Sequence, residues 1–332
     1  VTERGTDARV TAVMVAYNRR ALLGEALAAL AAQTRPVDRL IVVDNASEDG
    51  SAEFAEERLA DWGERARLIR LSENTGGAGG FAVGVAAAVA DPRTDWVWVM
   101  DDDTVPGPEA LAGALAAHAR YRETGPDNLA VMGSRVVWTD GEDHPMNTPK
   151  AKIGAGRAER ERAAAVGAME IRSISFVSAF LRAARVRELG LPIADYFLWN
   201  DDFEFSARLL RGARGLYVPG SVVTHKTRIR GSSDQDPGPR FYYEVRNKLW
   251  VFRFSRALRW WESLLYQAAS ARRWARTMRA SADRAQLRDC LRRGWRDGLR
   301  TRPRANARVL AGAGVPADAL DVVERLDGAP RA

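Results

Sequence analysis

Cysteine is almost missing: Cys290 is the only one in 332 residues. That excludes a disulfide framework and any cysteine-based metal site, and it fits a reducing compartment. Long hydrophobic runs are missing too. No stretch reaches the ~18 uninterrupted apolar residues that a membrane span needs, and the longest runs, such as FAVGVAAAVA, are short and rich in alanine. The opening VTERGTDARV has no apolar signal core, so a cytoplasmic protein is expected. Histidine is scarce, with three copies. No internal repeat is visible.

What is present suits a soluble globular chain: 46% of residues are apolar and 28% charged. The net charge of +7 conceals an asymmetry. Residues Val245 to Leu310 hold 18 Arg or Lys against Glu262, Asp283, Asp289 and Asp297, a net of +14, so the remainder sums to −7. Five of the ten tryptophans also fall in that segment. A basic, Trp-rich helical region suits the headgroup zone of an anionic membrane, and we expect peripheral association with the inner face of the cell membrane. Solvated arginine-rich helices packing on the rest of the chain are the plain structural alternative, and a nucleic-acid module is a further rival for such charge. No helix-turn-helix, zinc or RNA-binding signature is present, so nucleic acid is not an expected partner.

The first half alternates short apolar runs with helical patterns. TAVMVAY, LIVVDN, ARLIRL and WVWVMDD read as strands, each followed by a helix. Continuous apolar strands separated by helices predict a mostly parallel sheet covered on both faces. Ligands bind such sheets outside the carboxyl ends of the strands. Four of those ends are polar: Tyr17-Asn18-Arg19, Asp44-Asn45, Asn74 with the glycines behind it, and Asp101 to Asp103. Further on, LAVMGSRVVW and GLYVPGSVVTH read as strands, the latter ending at His225. The polar stretches from Thr139 to Arg162 and from Lys226 to Arg240 read as loops that order over a bound ligand.

Three adjacent carboxylates raise one another's pKa unless a cation compensates. Hard divalent ions favour such oxygen ligands together with substrate phosphates. On a strand, Asp101 and Asp103 share one side and Asp102 points away, which makes the first and third the paired ligands of Mn²⁺ or Mg²⁺. A solvated acidic turn is the structural alternative. WNDDFEFSARL is a second acidic cluster, where Asp201, Asp202 and Glu204 open a helix; carboxylates favour that dipole end. Two acidic clusters on separate elements imply divided labour, one holding metal and the other accepting a proton. Gly77-Ala78-Gly79-Gly80-Phe81-Ala82 also satisfies the dinucleotide fingerprint G-x-G-x-x-A. That oxidoreductase reading leaves two acid-tipped strand ends unexplained.

The set AYNR, VVDNAS, NTGGAGGF, the DDD strand end, WNDDFEFSARL and the later histidine resembles the inverting family 2 glycosyltransferases of GT-A fold, over roughly residues 10–250. NTGGAGGF, DWVWVMDDD and FYYEVRN are most similar to actinobacterial galactofuranosyltransferases. The resemblance implies an α/β catalytic domain over residues 1–240, with a nucleotide-sugar half (about 10–125) and an acceptor half (about 126–240). A basic helical region would follow over 241–332. It implies transfer of galactofuranose from UDP-galactofuranose to a polyprenyl-diphosphate-linked glycan in cell-wall galactan synthesis, with rhamnosyl transfer as the alternative. Carried over by motif, Asp44 would contact the nucleotide, with Asn18 and Arg19 beside it. Asn74, Gly76, Gly77, Gly79 and Gly80 would line the donor pocket. Asp101, Asp103 and His225 would hold the metal, and Asp202 would be the catalytic base with Asp201 as its acceptor-binding neighbour. Trp199 would wall the sugar, and Asp102 and Glu204 join the substrate-binding set. Asn200 departs from the Asp or other residue that related enzymes often carry there.

Overall fold

The computed structural model describes residues 8–227 and 236–327. The first half follows the expected alternation: β1 (Val10–Ala16), α1 (Arg20–Ala31), β2 (Arg39–Asp44), α2 (Ser51–Leu59), β3 (Ala66–Arg70), α3 (Gly76–Ala90) and β4 (Trp96–Asp101). Then come β5 (Thr104–Pro106), α4 (Ala110–Glu123), β6 (Leu129–Val137), β7 (Lys150–Ala151), α5 (Arg157–Ala165), β8 (Met169–Ser173) and β9 (Ala179–Arg182). The chain continues through α6 (Ala183–Leu189), α7 (Asp201–Leu209), β10 (Arg214–His225), α8 (Phe241–Phe254), α9 (Trp260–Ala280), α10 (Arg284–Arg300), α11 (Asn306–Val309) and α12 (Ala317–Asp327).

The strands form one sheet in the order β3-β2-β1-β4-β9-β6-β10-β8-β7, with β5 paired to β10. Strands β3, β2, β1 and β4 are mutually parallel, β9 is antiparallel between β4 and β6, and β10 is parallel to β6. Side chains alternate across β1: Val13 and Val15 enter one core, Ala12, Met14 and Ala16 the other. Helices α1, α2 and α4 cover the second core, while α3, α6, α7 and α12 cover the first.

Helix α3 carries no polar stripe because it has no solvent face. It is buried nearly all round, as an unbroken apolar helix must be. Glycine lets it lie close on the sheet: a Cβ at Gly84 would sit 2.4 Å from Val13 Cγ1. Its outer side is covered by α12, whose Val322, Val323 and Leu326 belong to the same core; Arg67 also pairs with Asp318 on α12 at 2.5 Å.

The polar stretch Thr139 to Arg162 is more ordered than its composition suggests. It contains a short 3-10 turn at Pro145–Asn147, strand β7 and most of helix α5. Helix α5 is fixed by ion pairs (Lys152 with Glu159 at 2.9 Å, Arg157 with Glu161 at 2.6 Å) rather than by an apolar face, which is why its pattern carried no helical signal. Residues 228–235 of the second expected loop lie outside the described residues.

Candidate active site

Parallel register brings the carboxyl ends of β1, β2 and β4 to one edge of the sheet, with Ala16 opposite Asp44 and Val15 opposite Asp101. Strand β4 ends at Asp101, and Asp102 and Asp103 turn into β5. This turn, rather than strand alternation, divides the three acids. Asp102 faces β1, accepting from the Tyr17 amide at 2.9 Å and from Arg19 at 3.4 Å. Antiparallel pairing of β5 with β10 sets His225 opposite Thr104, and so beside Asp103.

Asp101, Asp103 and His225 each offer a ligand atom, and these atoms all lie within 4.8 Å of one another. His225 Nε2 is 3.2 Å from Asp103 Oδ1, while Asp103 Oδ2 pairs with Arg19. The other imidazole nitrogen, Nδ1, is 2.9 Å from Asn147 Oδ1. Donation from Nδ1 to that amide oxygen leaves Nε2 with a lone pair, the tautomer a metal requires. Asp103 Oδ1 is buried and makes no well-aligned hydrogen bond. An uncompensated buried carboxylate oxygen, a second carboxylate and an oriented imidazole fit a hard or borderline divalent ion.

The electrostatics agree. Burial pushes Asp101 up to about 6, with repulsion from Asp103 adding and His225 and Arg19 opposing. Burial takes Asp102 up to about 7 despite the Tyr17 amide and Arg19. Asp103 is desolvated as well, but its contact with His225, helped by Arg19, holds it below the ordinary carboxylate range. A cation at this corner would relieve the repulsion that burial amplifies.

A cavity of about 650 Å³ opens beside this corner, lined by Asp101 and His225 and also by Trp199, Asp201 and Asp202. Burial raises the Asp201 pKa well above its ordinary value, with Asp202 adding repulsion. Asp202 is raised by the same desolvation, but the Phe203 amide, which it accepts at 2.6 Å, and Lys248 favour its ionised form. Of the two, Asp202 is better placed to be the anion. Lys248 is itself buried, its pKa lowered by desolvation against the pull of Glu244.

The loop that delivers this pair is strained. Phe197, Trp199 and Asn200 have φ of 64°, 66° and 66°, a region non-glycine residues rarely occupy. Helix α8 pins it. Asn247 Nδ2 donates to the carbonyls of Tyr196, Leu198 and Trp199 at 2.9, 2.9 and 2.8 Å, and Asn200 Nδ2 donates to Glu244 Oε2 at 2.9 Å. Reasoning from sequence missed Asn147, Glu244, Asn247 and Lys248. Three of these sit in FYYEVRNK, a motif legible as a pattern but silent on which side chain faces the acidic loop.

The remaining sequence-derived residues divide. Asn18 Oδ1 accepts from the Glu48 amide at 2.7 Å, and Asp44 Oδ2 from the Ser47 amide at 3.1 Å. Both thus shape the loop after β2. Asp44 Oδ1 remains buried without a partner. Asn74 Oδ1 accepts from Asn45 Nδ2 and the Gly76 amide at 3.1 and 2.8 Å. The glycines do not form a loop; they open α3. A Cβ at Gly76 would meet the Phe197 carbonyl oxygen at 2.0 Å, at Gly79 the Thr75 side chain at 2.4 Å, and at Gly80 the Val15 side chain at 2.6 Å. Gly77 alone of the four has open space, and it lines the cavity. Glu204 does not reach the cavity: it is buried against Arg208 (2.9 and 3.1 Å) and Ser255 (2.7 Å).

Residues 11–177 match the profile of Glycosyl transferase family 2. The chain belongs to that family. It is a glycosyltransferase, 31% identical over 258 residues to galactofuranosyltransferase GlfT1 of Mycobacterium tuberculosis, a match spanning 73% of this chain and 81% of that protein. Its fold is GT-A. Residues 1–349 of S. aureus TarS superpose with a TM-score of 0.59 at 16% identity, over 97% of this chain and 91% of that one. GalNAc-T7 in complex with UDP, GalNAc and Mn²⁺ gives 0.59 at 14%, over 93% and 59%. The family assignment leaves the dinucleotide reading of the glycines without support.

Proposed function

We propose that this family 2 glycosyltransferase moves galactofuranose from UDP-galactofuranose to a hydroxyl of a polyprenyl-diphosphate-linked glycan, inverting the anomeric carbon, at an anionic membrane surface during galactan synthesis. The relationship to galactofuranosyltransferase GlfT1 supports galactofuranose as the sugar moved. The observation that carries the mechanism is the single cavity lined both by Asp101 and His225 of the candidate metal corner and by Asp201 and Asp202.

Asp101, Asp103 and His225 would hold Mn²⁺ or Mg²⁺, which when bound supplies positive charge for the diphosphate leaving group. Arg19 keeps the acidic turn in place from the β1 side. Asp202 accepts the proton of the acceptor hydroxyl, a contribution worth ~10²–10⁴-fold, while Lys248 behind it favours the anion. Asp201, whose pKa burial and the neighbouring Asp202 raise, is the neighbour that binds the acceptor. Trp199 offers its ring as a wall for a sugar, and Asn18 and Asp44 shape the nucleotide end. We assign the two substrate halves to residues 10–240, with Glu244 and Arg273 of the later helices completing the cavity lining.

The test is transfer by purified protein across a panel of UDP- and dTDP-sugars, with a synthetic prenyl-diphosphate disaccharide as acceptor. Metal-dependent, inverting transfer from UDP-galactofuranose is expected. Transfer from dTDP-rhamnose with none from UDP-galactofuranose would overturn the donor assignment.

A further inference from the structure

The basic helical region contains a second cavity, away from the chemistry, that no step above uses. A groove of about 860 Å³ runs between α9 and α10. Its floor is apolar, with Trp274, Leu291, Trp295 and Leu299; Trp274 and Trp295 meet edge to face at 6.2 Å. Its rim is cationic, formed by Arg288, Arg292, Arg296 and Arg300 at a spacing of four residues, all exposed.

The opposite side of α10 explains why these residues face outward. Gly294 and Gly298 lie against α8, where a Cβ would meet the Tyr242 carbonyl oxygen at 2.7 Å and Leu249 Cβ at 2.8 Å. With that side committed to close packing, the arginines and Trp295 are left on the open side. Helix α10 carries six arginines against two aspartates, so ion pairing to Asp289 and Asp297 leaves net positive charge.

Helix α9 extends the same surface. Trp260 and Leu264 are 77% and 57% exposed, and Ala268, Ala271 and Ala275 are exposed as well. At 3.6 residues per turn, these positions and Met278 fall within an arc of about 80° along a helix of roughly 30 Å. An apolar stripe of that length beside an arginine row matches a helix lying in a bilayer interface, with phosphates at the rim.

We propose that the α9–α10 face docks on an anionic membrane leaflet. The α9 stripe enters the acyl region, one lipid chain occupies the groove, and its phosphate is held by the arginine row. This deepens the membrane-surface part of the proposed function. Trp274 connects the two regions: its ring floors the groove, and its Nε1 donates at 3.2 Å to Glu244, which lines the catalytic cavity. Docking therefore sets the cavity wall next to the leaflet that carries a lipid-borne acceptor.

The experiment is flotation of the full chain with phosphatidylcholine vesicles, with and without phosphatidylglycerol, in the absence of donor and acceptor. A failed transfer assay thus leaves its outcome readable. Wild-type protein is expected to float with the anionic vesicles, and Arg292→Glu with Arg296→Glu to lower partitioning by about tenfold or more. Trp260→Ser with Leu264→Asp should weaken it similarly, every variant keeping wild-type UDP affinity as the folding check. Lipids brominated on the acyl chain should quench tryptophan emission, and Trp295→Phe should lose part of that quenching. No flotation, unchanged partitioning of both double variants, or binding without acyl-chain quenching would each overturn the proposal. So would a wild-type dimer by light scattering that the stripe variant converts to a monomer without any vesicle binding, since the face would then be a protein interface.

Discussion

Asn247→Ala tests whether α8 holds the acidic loop in its working shape. The Asn247 side chain is fully buried, and its amide is oriented by acceptance at Oδ1 from Arg246 Nε at 2.9 Å. One NH₂ group has two protons, so three carbonyls share them through at least one bifurcated bond. Truncation removes this donor from the carbonyls of Leu198 and Trp199, at ~1–3 kcal/mol for each that water cannot reach, while the Tyr196 carbonyl keeps Arg246 at 3.1 Å. The same loop holds three non-glycine residues at positive φ, and each stores ~1–3 kcal/mol that a freed loop would release. Taking about 3 kcal/mol as the net drive toward relaxation, and 1.36 kcal/mol per decade of rate, kcat should fall about 100-fold. If UDP and metal are held at Asp101, Asp103 and His225, as proposed, UDP affinity should stay within about threefold by calorimetry, well below the 1.36 kcal/mol that a decade represents. A folded Asn247→Ala protein with kcat within twofold of wild type would refute the reasoning; equal loss of UDP affinity and turnover would show that α8 supports the whole site instead.

The other expectations concern single groups. Asp202→Asn should reduce transfer by ~10²–10⁴-fold with UDP binding intact; retained turnover in a radiolabelled-donor assay would remove it as the base. Asn147→Ala, which frees the His225 ring, should weaken metal affinity ~10–100-fold, and an unchanged metal titration of the UDP complex would count against His225 as a ligand. Gly80→Ala forces a methyl against Val15 and should cost about 1–3 kcal/mol in denaturant unfolding, whereas Gly77→Ala should leave the unfolding midpoint unchanged and raise KM for the donor; the opposite pattern would reverse the division of the glycines. Because burial raises the pKa of Asp202, its protonated form persists above the ordinary ~3.9, so kcat at saturating metal should climb with pH along a limb displaced upward. Its coupling to Asp201 makes the midpoint a property of the pair, and a flat kcat profile down to pH ~4 would contradict the displaced value.

Much of the fold was legible because its determinants are local. The unbroken apolar runs of β1, β2 and β4 mark buried strands whatever surrounds them, and polar residues at their ends mark the binding edge. What was not legible depends on partners far along the chain. Helix α5 is held by ion pairs instead of an apolar stripe, so no periodicity announced it. The glycines from Gly76 to Gly80 read alike in sequence, yet neighbours from Val15, Thr75 and Phe197 decide which of them only packs and which faces the cavity. Glu204 sits two residues from Asp202 but belongs to Arg208, four residues later, because a helix turns that side chain inward. Asn247 could not be linked to the loop at 196–199, as only the tertiary fold brings the two segments together.

The last segments of the chain are tied to the catalytic body at more than one point. Asn306 bridges Pro192 and Ala194 through its side-chain amide, Arg304 clasps Asp195 at 2.6 Å, and α12 roofs α3. A fragment cut after residue 300 would therefore not behave as a trimmed enzyme. It would bare a sticky alanine-valine helix and slacken the approach to the acidic pair, so loss of turnover in such a fragment would say nothing about lipid contact.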